Sequence, residues 1–317
     1  MCALAIAFVI VATTLTPTVF AADAKTFTIN PGERVVFLGG TYVERDQQFG
    51  YFESLLTAKF ENFTFRNVAW SGDTVKGHAR AVFGSVEDGF KAMLKQVNDA
   101  KPNVLLVNYG MNESFEGEAG LGDFKASLER VLIELEKTKA RIVIVSPFKH
   151  QKLPPPLPDP TEHNKSLSLY VDALRYTADK RGYQFVDLFS ADIPGLETEN
   201  GIHPNPQGYW AVSVALVKRL GIELPASLES VKVKVGGIPP GVLPDSLAAL
   251  EKLRTVINDK NAQFFYRWRP QNETYIYLFR KGEQGRNAVE IPKFDPIVEA
   301  KEKEIAGLRS AAAALVK

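Results

Sequence analysis

Past residue 30, short apolar runs alternate with amphipathic stretches. Segments 34–38 (RVVFL), 63–68, 103–108 (NVLLVN), 141–145 (RIVIV) and 184–188 are short and mostly apolar, as strands buried on both faces require. Helical spacing fills the intervals. Segment 50–60 sets Phe52, Leu55, Leu56 and Phe60 on one face, and 86–97 does the same with Phe90, Met93, Leu94 and Val97. Segment 124–135 follows with Leu128, Val131, Leu132 and Leu135, then come 164–180 and 206–220. The proline-rich stretch 153–160 is too restricted in φ to be helix and reads as a loop. Strands alternating with helices predict a three-layer α/β/α sandwich around a five-stranded parallel sheet, closed by right-handed crossovers. After about Gly221 the pattern changes. Segment 247–257 is helical, the aromatic-rich segments 263–268 and 274–280 suggest a hairpin, and 296–317 reads as a charged, alanine-rich helix. The expected organisation is therefore a main domain over 30–222 and a C-terminal α/β extension over 223–317. The extension is short for a core of its own, so it is expected to dock on the main domain.

Thirty-eight basic against 37 acidic side chains leave a net charge of +1, without the basic excess of a nucleic-acid binder or a polybasic membrane-surface protein. The single cysteine, Cys2, excludes a disulfide, a thiolate nucleophile or a cysteine metal site in the mature fold. With four histidines (His78, His150, His163, His203) and neither HExxH nor HxxEH spacing, no metal or other cofactor is expected. Residues 1–21 read as an export signal. The run 3–12 is unbroken and apolar, and Val19 and Ala21 stand at the −3 and −1 positions of a cleavage site. No later run reaches the ~18 apolar residues of a membrane span, so a periplasmic or extracellular protein is expected.

In open parallel sheets, ligands bind at the carboxyl ends of the strands. Four segments pass that filter: Gly39-Gly40-Thr41, Ser71-Gly72-Asp73-Thr74, Gly110-Met111-Asn112-Glu113, and Asn200-Gly201-Ile202-His203-Pro204-Asn205. A hydroxyl, a glycine amide, an asparagine amide and a histidine are the parts of acyl transfer. The hydroxyl attacks, the imidazole takes its proton, and N–H donors hold the oxyanion. Each residue also has a plainer reading. Thr41 suits a helix cap, Gly72 a positive-φ turn and Asn112 an Asx turn. His203, between Gly-Ile and Pro on a loop, has no packing reason to be there. Ser71 is a fallback nucleophile, and His78, His150 and His163 read as surface residues.

These blocks resemble the SGNH (GDSL-type) hydrolase superfamily, over roughly residues 35–220. The resemblance implies a flavodoxin-like sheet and an ester hydrolase. Thr41 falls at the nucleophile, Gly72 and Asn112 at the oxyanion hole, His203 at the base, and Asn200 at the position that orients it. Two departures touch the chemistry. The family's nucleophile is a serine, where Thr41 adds a crowding methyl. The family orients its histidine with an aspartate, where Asn200 keeps a side-chain oxygen able to accept from a histidine N–H but brings no charge. Glu199, Glu197 and Glu44 are candidate substitutes for the missing carboxylate. The implied ligand is a small-molecule or carbohydrate ester. The alternatives are a non-catalytic glycan- or acyl-binding module, or a structural domain recruiting proteins through its Arg/Trp-rich tail. In that tail, Arg267-Trp268-Arg269 suits either gripping a sugar or carboxylate, or packing onto the main domain.

Overall fold

The computed structural model describes residues 27–239, 245–283 and 287–316. The expected signal segment, 1–21, lies outside them. Five strands, β1 (Arg34–Gly39), β2 (Thr64–Asn67), β3 (Val104–Asn108), β4 (Arg141–Val145) and β5 (Gln184–Val186), pair in parallel in the order β2-β1-β3-β4-β5. Successive side chains serve opposite faces, as the period of two demands. Val35, Phe37, Val104 and Leu106 enter one apolar cluster; Val36, Leu38, Leu105 and Val107 enter the other. Against the first face pack α1 (Thr41–Phe49), α2 (Tyr51–Lys59) and α6 (Pro206–Arg219). Against the second pack α3 (Val86–Ala100), α4 (Gly117–Glu136) and α5 (Thr161–Arg181).

The sequence pattern does not predict α1. Its stretch TYVERDQQF buries only Tyr42, Val43 and Asp46, too few apolar positions to mark a face. The chain breaks at Gly50, and α2 then restarts on a nearly continuous buried face.

Past residue 222 the described residues are helical, with α7 (Asp245–Trp268), the single turn α8 (Glu273–Ile276) and α9 (Phe294–Ala312). The expected hairpin is absent. Segment 263–268 is the last turn and a half of α7, and 274–280 holds only α8 and turns. Aromatic residues favour strands, but Phe264 and Trp268 continue the helical face of Leu250, Leu253, Ile257 and Asn261. So the extension is helical rather than α/β. Within it, the only bridge among the described residues joins Lys234 and Gly237.

The helices of the extension lie along α1, α2 and the outer edge of β2. Lys260 reaches into the core, where its ammonium meets the Glu53 carboxylate at 2.6 Å and donates to the Phe65 carbonyl at 3.1 Å. Asn261 donates to the same carboxylate at 3.1 Å. Arg254 and Asn258 donate to the Phe49 and Gln48 carbonyls at the end of α1, each at 2.9 Å. Arg309 of α9 donates to the Phe60 carbonyl at 2.9 Å. Lys260 thus occupies a carbonyl of the edge strand β2, where an exposed row of unpaired groups invites association. No helix among the described residues is long and apolar enough to cross a membrane.

Candidate active site

Strand order reverses between β1 and β3, and the loops after these strands open a cleft there. The cleft encloses about 460 Å³, part of it open to solvent, and is lined by Thr41, Asn112 and His203 together with Tyr109, Met111, Phe148 and Ile202. The lining combines polar groups with apolar side chains, a composition suited to an acyl group.

Thr41 is the first residue of α1. The cap position is Gly40, and no side-chain cap bond forms, so the Thr41 hydroxyl is not spent on capping. Its Oγ1 accepts the Gly72 N–H at 2.9 Å. The Thr41 backbone N–H belongs to the first turn of the helix, where amides lack intrahelical partners and the dipole is positive. Gly72 has φ of 74° with open space around it, so it is the backbone angle, not crowding, that calls for glycine. Gly72 itself is exposed at the edge of the cleft.

Asn112 caps the short 3₁₀ turn after β3, and its Nδ2 donates to the Asp73 carbonyl at 2.8 Å. The loops after β2 and β3 are therefore tied to each other. Asp73 is anchored in turn by a fully buried ion pair with Arg80 at 2.7 Å and by the Tyr109 hydroxyl at 3.1 Å. Glu113 adds a second tie. Its two carboxyl oxygens accept the Val75 N–H at 2.9 Å and the Gly110 N–H at 2.8 Å. Burial pushes its carboxyl up to about 7. Sequence reasoning did not assign roles to Glu113, Asp73, Arg80 or Tyr109. The signal available for the first two was their place in the strand-end blocks.

The histidine loop is folded around Asn200. Its Oδ1 accepts the backbone N–H of His203 at 2.9 Å and of Ile202 at 3.3 Å. The amide oxygen is thereby spent on the main chain, and the Nδ2 group is left facing His203 Nδ1 at 3.2 Å. The oxygen that could have accepted from the imidazole is engaged by the backbone instead. Flipping the amide would set its NH₂ against two N–H donors. An amide NH₂ only donates, so this contact favours the tautomer in which Nδ1 accepts and the neutral ring carries its proton on Nε2. Burial and the Arg45 charge hold the His203 pKa below its ordinary value, with Glu199 opposing. Gly201, with φ of 94°, has a further constraint. A Cβ there would stand 2.4 Å from the His150 ring.

The three candidate carboxylates are engaged elsewhere. Glu199 pairs with Arg45 at 3.1 Å, and Glu197 accepts from the Asn205 side chain at 3.1 Å. Glu44 accepts the Ser71 N–H and pairs with Arg269 at 2.7 Å. Ser71 is exposed and does not line the cleft. His78 is exposed, as expected, and its Nδ1 meets the Thr74 hydroxyl at 2.8 Å. His150 is not a surface residue, and His163 is half-buried. Their Nδ1 atoms meet at 3.0 Å, His150 is buried, and His163 stacks on Phe115 with 3.9 Å between ring centres. Burial and the neighbouring His150 hold His163 down to about 4. Arg267 pairs with Asp295 at 2.8 Å, while Trp268 meets Trp70 edge-on, so this part of the tail packs against its own chain. Among the described residues, no group of three or more His, Cys, Asp or Glu side chains is placed to hold a metal.

The family model for GDSL-like lipases and acylhydrolases matches residues 38–211, more than half of the chain. Among solved structures, a gut microbial diltiazem-metabolizing enzyme superposes with a TM-score of 0.58 at 14% identity, covering 93% of this chain and 97% of its own. That coverage takes in the C-terminal helices as well as the sheet. The acetylxylan esterase Axe2 from Geobacillus stearothermophilus gives 0.48 at 17% identity, over 62% of this chain and 98% of its own. A lipase/acylhydrolase from Enterococcus faecalis gives 0.45 at 16% identity, over 59% and 95%. No curated protein sequence matches the chain.

Proposed function

The chain is a member of the GDSL-like lipase/acylhydrolase family, and from that premise we propose that it is an exported ester hydrolase of slow turnover, acting on small acyl esters such as acylated carbohydrate. The observation that carries the reading is the Gly72 N–H on the Thr41 hydroxyl, in a cleft that Asn112 and His203 also line. Thr41 Oγ1 attacks the acyl carbonyl, and its proton passes to His203 Nε2. The amides of Thr41 and Gly72 and the Asn112 side chain take the oxyanion. As the tetrahedral adduct collapses to the acyl-enzyme, the alcohol leaves with the proton held by His203; water activated by the same imidazole then hydrolyses the acyl-enzyme, releasing the acid and restoring the Thr41 hydroxyl. The apolar walls of the cleft suit the acyl group, and export follows from the reading of residues 1–21.

Slow turnover follows from Asn200. With the ring proton on Nε2, His203 offers a donor where the mechanism needs an acceptor. The base works only after the ring proton moves to Nδ1, which sets it against the Asn200 NH₂. In serine proteases the corresponding exchange of aspartate for asparagine costs about 10⁴ in rate, also through the wrong tautomer. The same contact favours a second reading, a binding module that holds an acyl group without turning it over.

Hydrolysis of an activated acetate ester separates the two. Thr41→Ser is expected to keep or raise the rate, because it keeps the hydroxyl and loses the crowding methyl. Thr41→Val and His203→Ala are expected to abolish it. Activity surviving Thr41→Val would move the nucleophile elsewhere, and a wild-type rate insensitive to His203→Ala would favour the binding module.

A further inference from the structure

The oxyanion loop is held through Glu44, whose other partner, Arg269, lies 225 positions further along the chain than Glu44. Glu44 stands in the first turn of α1, three residues after Thr41. Its Oε2 accepts the Ser71 N–H, and its Oε1 accepts from the Arg269 guanidinium at 2.7 Å. The guanidinium lies 3.6 Å from the centre of the Trp70 ring and 5.4 Å from that of Phe265. Both members of the pair are largely buried, with side chains 23% and 13% exposed, so solvent screens the pair less than it would an open surface bridge. Arg269 follows α7 directly, and its own N–H is held by the Phe265 carbonyl at 2.9 Å.

We propose that Arg269 is a positioning residue for the oxyanion loop, so that the C-terminal extension takes part in catalysis. The proposal rests on the hydrolase reading for its kinetic consequence. Two physical effects combine. First, Arg269 fixes the Glu44 rotamer, and Glu44 fixes the Ser71 amide. The next peptide carries the Gly72 N–H, whose direction is otherwise governed by a glycine with space on all sides. Second, an unpaired Glu44 would place a negative charge close to where the oxyanion develops. Arg269 neutralises that charge. Stacking on Trp70 keeps the guanidinium plane in place, which a lysine cannot reproduce.

The test uses the full chain with Arg269→Ala, Arg269→Lys, the double variant Arg269→Ala/Glu44→Gln, and Arg267→Ala as control. Loss of an entire oxyanion donor costs about 10²–10³ in kcat. A donor displaced but not removed should cost less, so Arg269→Ala is expected to lower kcat by about 10-fold while KM changes by no more than about 2-fold. Arg269→Lys should fall between, and guanidinium ion at millimolar concentration should restore part of the Arg269→Ala rate. Adding Glu44→Gln should recover the part lost to the unmasked charge. Arg267, paired with Asp295 away from the loop, should leave kcat unchanged. A purely structural role would instead lower the melting temperature, with kcat intact well below it.

A second measurement needs no turnover. Amide exchange at Ser71 and Gly72 should speed up about 10-fold in Arg269→Ala while exchange in β3 stays as in the wild type. If the wild type hydrolyses no ester, the hydrolase reading fails but the exchange result still decides whether Arg269 holds the loop. Unchanged exchange at Ser71 and Gly72 in Arg269→Ala overturns the proposal, and so does an unchanged kcat in an active enzyme.

Discussion

Around His203, an aspartate and an asparagine differ in the direction of one hydrogen bond. The loop spends one oxygen of residue 200 on two backbone N–H groups, so whatever occupies the other branch decides the tautomer. The charge field around the ring adds to this. Arg45 disfavours the imidazolium and Glu199 favours it, with burial the largest influence. Removing the cation should therefore raise the His203 pKa toward its ordinary value, with burial still holding it down. An NMR titration of the ring in Arg45→Met is expected to show a midpoint at higher pH than in the wild type. The acidic limb of any His203-dependent rate should move up with it. An unchanged midpoint would mean that the Arg45 charge is not felt at the ring. That Thr41, Asn112 and His203 share one cleft was legible in the sequence because each lies in a segment that follows a strand. The orientation of the Asn200 amide was not, because it depends on two backbone donors that exist only once the loop has closed.

Among the elements, α1 carries the most tension. It presents Thr41 at its start and buries Asp46 in its middle, with one carboxyl oxygen lacking a partner. Burial and the nearby Glu53 push the Asp46 carboxyl up to about 7. The folded state thus favours the protonated form. Its contribution is fully present below the ordinary carboxylate value and is lost as pH rises to about 7. Asp46→Asn removes the titration and keeps the shape. It should raise the melting temperature at pH 8, and change it little at pH 4. About 1 kcal/mol corresponds to roughly 1.5–2 °C for a chain of 317 residues. An equal shift at both pH values would contradict the burial argument. The helix escaped the sequence pattern for the same reason that it is strained, since a buried carboxyl reads as a polar, outward position. The five strands were legible because they are buried on both faces, which leaves little room for polar residues. The end of α7 misled because phenylalanine and tryptophan suit strands and helix faces alike, and only the partners Arg66 and Trp70 distinguish the two.

Across the molecule, the extension and the sheet are joined through charges as well as apolar packing. Lys260 and Glu53 meet in the core, Arg269 meets Glu44 beside the cleft, and Arg66 meets Glu302 at the edge of β2. Pairs separated by more than two hundred residues leave no local trace, so the sequence showed where the extension begins and not what it grips. In the proposed reading, the site they surround works as an ester hydrolase whose base, His203, is held in the opposing tautomer. Turnover of the full-length Asn200→Asp variant on an activated acetate ester tests that arrangement most directly. A carboxylate at 200 would accept the Nδ1 proton, free Nε2 to act as base, and stabilise the imidazolium. The rate is expected to rise by about 10²–10⁴ over the wild type and to vanish again with Thr41→Val or His203→Ala. An Asn200→Asp variant no faster than the wild type, or one whose gain survives Thr41→Val, would contradict it.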